Sequence, residues 1–173
     1  DPAALAEVSD AMRRINQEAS RMNHIVDDLL DLTAMDEHRL GEPVRFDLAE
    51  VLRDIESDLH VVQPQRPISV RSPQSLPITA DRNRVVQAIA ALATNALRHT
   101  APDTPVFLTG APLVDGGARV AVVDHGPGIP AEHLPHLFDR FYRVDRGRAR
   151  ASGGNGLGLA IVAGIVTAHG GRY

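Results

Sequence analysis

With 173 residues, 43% of them hydrophobic but only 3% aromatic, the chain can build one core of aliphatic side chains, alone or with an appendage. A net charge of -4 argues against a general nucleic-acid binder, and no apolar run reaches the ~18 residues of a membrane span. Cysteine is absent and all 18 basic residues are arginine, which excludes disulfides, thiolate chemistry, a Walker-type lysine and Schiff-base catalysis.

Residues 1 to about 40 read as one long helix, with Asp1-Pro2 as cap and first turn. Leu5, Val8, Met12, Ile15, Ala19, Met22, Val26 and Leu29 alternate spacings of three and four, the period of a coiled-coil or bundle seam. One helix cannot bury such a stripe alone. It calls for a partner helix; the plainer alternative is packing on the helix's own domain. Leu40-Gly41-Glu42-Pro43 breaks the pattern and marks a domain boundary.

Beyond the boundary, Val44–Phe46 reads as a strand, and Asp47 with Glu50 as a capping box for a helix whose apolar face holds Leu48, Val51, Leu52, Ile55 and Leu59. Short strands are expected at Ile68–Val70 and Leu76–Thr79. Asp81 caps a helix over 82–99. Strands at Pro105–Thr109 and Arg119–Val123 are joined around Asp115-Gly116-Gly117, and a last helix runs from Leu157 to about His169. This order predicts an α+β fold, a two-layer α/β sandwich with helices against one face of a mixed sheet, preceded by the long N-terminal helix.

Two glycine clusters carry the chemistry. Asp124-His125-Gly126-Pro127-Gly128-Ile129-Pro130 opens a segment that Gly153-Gly154-Asn155-Gly156-Leu157-Gly158-Leu159 closes. Glycine lets a ligand approach the backbone, and the second cluster enters a helix whose first N–H groups favour phosphate. Between them stand Phe138, Phe141 and Tyr142 with Arg140, Arg143, Arg146, Arg148 and Arg150, the composition of a lid over an anion, with Phe138 and Phe141 as its anchors. A long surface loop with turn glycines is the bland alternative. Asn95, Arg98 and His99 share one helix edge, where an amide oxygen suits Mg²⁺ and an arginine suits phosphate. Asp124 is expected at the end of a buried apolar strand, where it can accept from an exocyclic amine or simply cap the turn.

These motifs in this order resemble the catalytic ATP-binding domain of bacterial two-component sensor histidine kinases, of the GHKL superfamily with its Bergerat fold. The resemblance covers Asn95–Thr100, Asp124–Pro130, Phe138–Arg143 and Gly153–Leu159, within about residues 44–173. The segment 1–40, with Arg21-Met22 and Val26–Leu32, resembles the second helix of the family's dimerisation and phosphoacceptor hairpin.

The resemblance implies ATP and Mg²⁺ as cofactors and a role for each residue. Asn95 would hold Mg²⁺, Arg98 and Arg143 would meet the phosphates, and these three would be the catalytic residues. Asp124 would read the adenine amino group beside His99, Gly126, Gly128 and Ile129; Gly154, Gly156 and Gly158 would border the triphosphate, with Tyr142, Leu157 and Leu159. It implies a cytoplasmic protein-histidine kinase, possessing a response regulator as partner, with no nucleic acid and no membrane insertion by this segment. None of the eight histidines has the family's acceptor pattern, so the acceptor is expected upstream in cis or in trans. Ala91 stands where the family often has asparagine and ATP-hydrolysing relatives a glutamate base, which favours phosphoryl transfer over hydrolysis. The family's C-terminal hairpin is expected to be missing after Tyr173. The alternatives are a non-catalytic ATP-binding regulatory module and an anti-sigma-factor-type Ser kinase of the same fold.

Overall fold

The computed structural model describes residues 7–16, 18–19, 22–23, 26, 30, 40–114, 116–144 and 155–173. The described positions between 7 and 30 are helical. Leu5 and Leu29 of the predicted seam lie outside the described residues. Val8, Met12, Ile15, Met22 and Val26 are each at least 54% exposed, so this apolar stripe has no cover among the described residues.

From Val44 onward the chain forms β1 (Val44–Asp47), α1 (Leu48–Val62), β2 (Ile68–Arg71), β3 (Pro77–Ala80), α2 (Arg82–His99), β4 (Val106–Pro112), β5 (Ala118–Asp124), a 3-10 turn (Ala131–His136) and α3 (Gly158–Ala168). β1 and β3 pair antiparallel. The second sheet has the order β2-β4-β5, parallel between β2 and β4 and antiparallel between β4 and β5, so it is mixed as expected. The β4–β5 hairpin runs further than the sequence suggests, to Pro112 opposite Ala118, because Gly116 and Gly117 both take positive φ and let the Leu113 N–H reach Gly117 O at 3.2 Å.

The core is aliphatic, as the scarcity of aromatic residues requires. Leu48, Leu52 and Ile55 of α1 meet Ile89 and Ala93 of α2 over Val106 and Leu108 of β4. A second cluster joins Ala88 of α2 to Leu157, Ile161 and Ile165, with Ala91 and Leu92 packed against it. Each large side chain so buried stabilises the fold by ~1.5–3 kcal/mol.

Two local expectations are corrected. Asp47 does not close a box with Glu50. Its Oδ1 accepts the N–H groups of Ala49 at 2.9 Å and Leu76 at 2.8 Å, and its Oδ2 the Ser75 hydroxyl at 2.6 Å, so the cap also ties down the loop entering β3. Nor is β5 a buried strand. It is an outer strand with half-buried residues, and Val123 and Asp124 at its end are exposed.

Arg66 is the buried cation the sequence did not announce, at 3% exposure. Its guanidinium donates to Thr104 O at 3.1 Å, Leu97 O at 3.2 Å, Gln63 Oε1 at 3.2 Å and the Thr100 hydroxyl. It therefore fastens the end of α1, the last turn of α2 and the loop before β4 through neutral acceptors, the Leu97 carbonyl being at the negative end of the α2 dipole. Replacing Arg66→Met leaves these buried acceptors unpaired. Urea denaturation should show a loss of about 2–4 kcal/mol without a change in slope.

Candidate functional site

Helix α2 ends where the sequence places its polar edge. Asn95 is half-buried, while Arg98 and His99 are exposed. The Thr100 hydroxyl folds back onto Ala96 O at 2.6 Å and holds the end of the helix. Directly against it lies Gly126: a Cβ there would stand 2.5 Å from Thr100 Cγ2 and 2.8 Å from Asp124 Oδ1, so no larger residue fits. The first glycine cluster is thus seated on the end of α2.

Strand alternation decides where Asp124 lies. Val120 and Val122 pack on the core, so Asp124, two residues on, stands on the same side of β5, the side α2 covers. Its Oδ1 accepts the Gly126 N–H at 2.9 Å, which is the turn-capping role. A carboxylate has a second oxygen to offer.

His99 reports on the convergence. Although its edge meets solvent, its ring is partly desolvated, and this burial pushes the imidazole below its ordinary 6.5. The guanidiniums of Arg98 and Arg143 push it the same way, and the Asp124 carboxylate opposes them. Residues from α2, from the β5 turn and from the arginine-rich span therefore act on one imidazole.

The two ends of that span meet. The Phe141 N–H donates to Gly156 O at 2.9 Å. Phe141 has φ +64°, Gly156 φ +72°, and a Cβ on Gly156 would lie 2.9 Å from both Phe141 C and Tyr142 O. The expected anchors differ: Phe138 is half-buried with its ring 4.5 Å from that of Tyr173, whereas Phe141 is 57% exposed. Phe141 anchors through its backbone. The intervening residues 145–154, Gly153 and Gly154 among them, lie outside the described residues.

Helix α3 starts immediately after this contact. Its N-cap residue, Leu157, offers no side-chain hydrogen bond, and the Leu157 N–H donates to Asn155 Oδ1 at 3.3 Å. Leu157 itself is fully buried against α2, so what it can offer a ligand is its backbone. Gly158 and Leu159 are half-buried, as are Tyr142 and Arg143. Gly128, at φ +75°, and Ile129, 44% exposed, extend away from Gly126 into open space. Arg66 was missed by the sequence reading, and Thr100, though the last residue of the Asn95–Thr100 motif, was given no role. Both act by seating the glycine turn rather than by meeting a ligand.

Residues 80–173 match the family model described as histidine kinase-, DNA gyrase B-, and HSP90-like ATPase. The chain belongs to this family. It is 39% identical over 168 residues to the sensor histidine kinase TrcS of Mycobacterium tuberculosis, covering 92% of this chain and 32% of that one. Against the sensor histidine kinase CusS of Escherichia coli it is 35% identical over 165 residues, covering 94% and 34%. It spans about a third of the length of these relatives. Among solved structures it is similar to full-length ShkA in complex with AMPPNP, with TM-score 0.74 and 26% identity over 89% of this chain and 32% of that one, and to the mycobacterial sensor histidine kinase MprB, with TM-score 0.64 and 26% identity over 74% and 80%.

As a member of this family the chain is an ATP-using domain. Among the described residues no three His, Asp or Glu side chains stand together to hold a metal. An amide oxygen such as that of Asn95 has the chemistry to assist a Mg²⁺ carried mostly by phosphate and water.

The lowered His99 value makes the imidazole neutral in the folded chain at a pH where an unfolded one is charged. The stability this contributes is present above 6.5 and is lost as pH falls through the lowered value. An NMR titration should find the His99 midpoint below 6.5, lower still in Asp124→Asn and higher in Arg143→Ala. Gly156→Ala should separately destabilise the Phe141 contact by about 1–3 kcal/mol, seen as faster hydrogen exchange there, since alanine at positive φ is strained even before its Cβ clashes.

Proposed function

We propose that this chain is the ATP-binding kinase module of a two-component sensor histidine kinase, and that it transfers the γ-phosphoryl group of ATP to a histidine presented by another segment or chain. The observation that carries the reading is that the charges of Arg98, Arg143 and Asp124 all bear on His99; the start of α3, whose N-cap residue Leu157 offers no side-chain bond, adds to it. In this reading the two cations and the first amides of α3 would serve a triphosphate, and the carboxylate would serve a base.

In this reading Asp124, with Oδ1 engaged by Gly126, uses its other oxygen to accept the adenine amino group. Guanine offers a carbonyl at that point, so GTP binds less well. Arg98 and Arg143 neutralise the phosphates, and the first amides of α3, with Gly156 and Gly158, border them. Asn95 supplies the amide for Mg²⁺, which when bound spreads the charge on the transferring group. The acceptor imidazole nitrogen attacks the γ-phosphorus in line; the bond to the β,γ-bridging oxygen breaks, ADP leaves, and the new phosphorus–nitrogen bond forms. Ala91 packs against α3 and carries no base, which supports transfer to an imidazole over attack by water.

Residues 1–40 are then the second helix of the acceptor hairpin, and 44–173 the catalytic domain. The exposed stripe Val8, Met12, Ile15, Met22 and Val26 supports docking of the histidine-bearing helix there. A response regulator would receive the phosphoryl group, on the cytoplasmic side; among the described residues no helix is long and apolar enough to cross a membrane.

Two experiments test this. Mixed with labelled ATP, the chain alone should take no acid-labile label; adding a partner that carries the acceptor hairpin should label the partner, and Asn95→Ala should abolish that label. Label on one of the chain's own histidines would refute the transfer in trans. In calorimetry, Asp124→Asn should weaken Mg·ATP by roughly 10- to 150-fold, the loss of one charge-assisted hydrogen bond, and should narrow the preference over GTP. Unchanged ATP affinity would remove Asp124 from the base site.

A further inference from the structure

The 3-10 turn Ala131–His136 brings two histidines onto Tyr142, and the nucleotide reading uses neither. His133 Nδ1 lies 2.7 Å from the Tyr142 hydroxyl, with the side chain of His133 only 22% exposed. The Glu132 carboxylate stands 3.7 Å from His133 Nε2. With the proton on Nε2, facing Glu132, Nδ1 accepts from the tyrosine hydroxyl. The His136 ring lies against the same tyrosine, 5.3 Å between centroids, and its Nδ1 is 2.8 Å from Asp139 Oδ2.

Tyr142 sits between a strained residue and a functional one. Before it is Phe141, a non-glycine residue at φ +64°, a conformation that persists only where its surroundings hold it. After it is Arg143, whose charge reaches His99. Two fastenings flank the strain: the Phe141 N–H on Gly156 O, and the Tyr142 hydroxyl on His133. The first fixes the backbone. The second fixes the direction in which the chain leaves the turn.

We propose that His133 is a positioning residue: by holding the Tyr142 hydroxyl it fixes the Phe141–Arg143 turn against Gly156, and so sets where the Arg143 guanidinium stands in the nucleotide site. This rests on the reading of Arg143 as a phosphate contact.

The test uses the whole chain and four single variants, with two double ones. His133→Leu removes the partner of the hydroxyl, His133→Gln keeps a side-chain group that can bond it, and Tyr142→Phe removes the hydroxyl itself. Without nucleotide, the Phe141 amide should exchange about tenfold faster in His133→Leu and in Tyr142→Phe, at close to the wild-type rate in His133→Gln, and no faster in the His133→Leu/Tyr142→Phe double variant than in either single one. In calorimetry with Mg·ATP, His133→Leu should weaken binding by about fivefold, His133→Gln should restore it, and His133→Leu should cost nothing further when added to Arg143→Ala. Wild-type exchange at Phe141 in His133→Leu overturns the proposal. So does a loss of affinity that adds fully to Arg143→Ala, or one that glutamine fails to restore. A wild-type chain that binds no Mg·ATP overturns the nucleotide reading and the placement of Arg143 with it, while the exchange data still decide whether His133 holds the turn.

Discussion

Helix α2 has to satisfy two apolar surfaces at once. One side buries Ile89, Ala93 and Ala96 against α1 and the sheet, and another buries Ala88, with Ala91 and Leu92, against α3. Alanine at these positions lets both partners approach the helix backbone closely, and it costs no side-chain entropy on burial. A helix wedged in this way cannot rotate without opening a cavity on one side. The edge it leaves over, with Asn95, Arg98 and His99, is thereby held toward the end of β5 and the start of α3. The candidate site exists because the two cores share one helix.

The loops around that edge are set by backbone proximity more than by side-chain packing. Gly126 is pressed on Thr100, and Gly156 on Phe141 and Tyr142, at distances that exclude a Cβ. Arg66 lies behind the first contact, gripping Thr100 and Leu97 from inside the protein. Asp81 does a comparable service at the far end of α2. Its Oδ1 accepts the Arg84 N–H and its Oδ2 the Gly41 N–H at 2.7 Å, while its own N–H donates to His169 Nε2 beyond the end of α3. The segment entering the domain, the start of α2 and the end of α3 are joined at one carboxylate and its backbone, so both helices that border the site are tied at their distal ends.

The elements with strong periodicity were legible from the residues. The bounds of α2 follow from Asp81 and the spacing of its apolar positions, and those of α1 and α3 from theirs. The strands were legible as strands but not in length, because a hairpin runs until its turn closes, and the positive φ of Gly116 and Gly117 fixed that point. The capping of α1 was half legible: Asp47 was found and does cap through the Ala49 N–H, but its other partners are Ser75 and Leu76, nearly thirty residues on, which no local pattern contains. Phe141 shows the opposite failure. An aromatic residue between glycine clusters reads as an anchor through its side chain, yet Phe141 is exposed and its peptide makes the contact.

The sequence by itself determined the composition of the core, the class of the fold, the order of the site motifs and the family they indicate, because propensity, hydrophobic period and motif spacing are local properties of a chain. Only the tertiary structure decided which of these motifs meet. That Asp124 and Arg143 act on His99, that Gly156 receives Phe141, and that Arg66 is buried among neutral acceptors all depend on bringing together residues that are far apart in the chain. Such contacts are fixed by how α2 is wedged between sheet and helix, and by where a backbone without a side chain lets another come close.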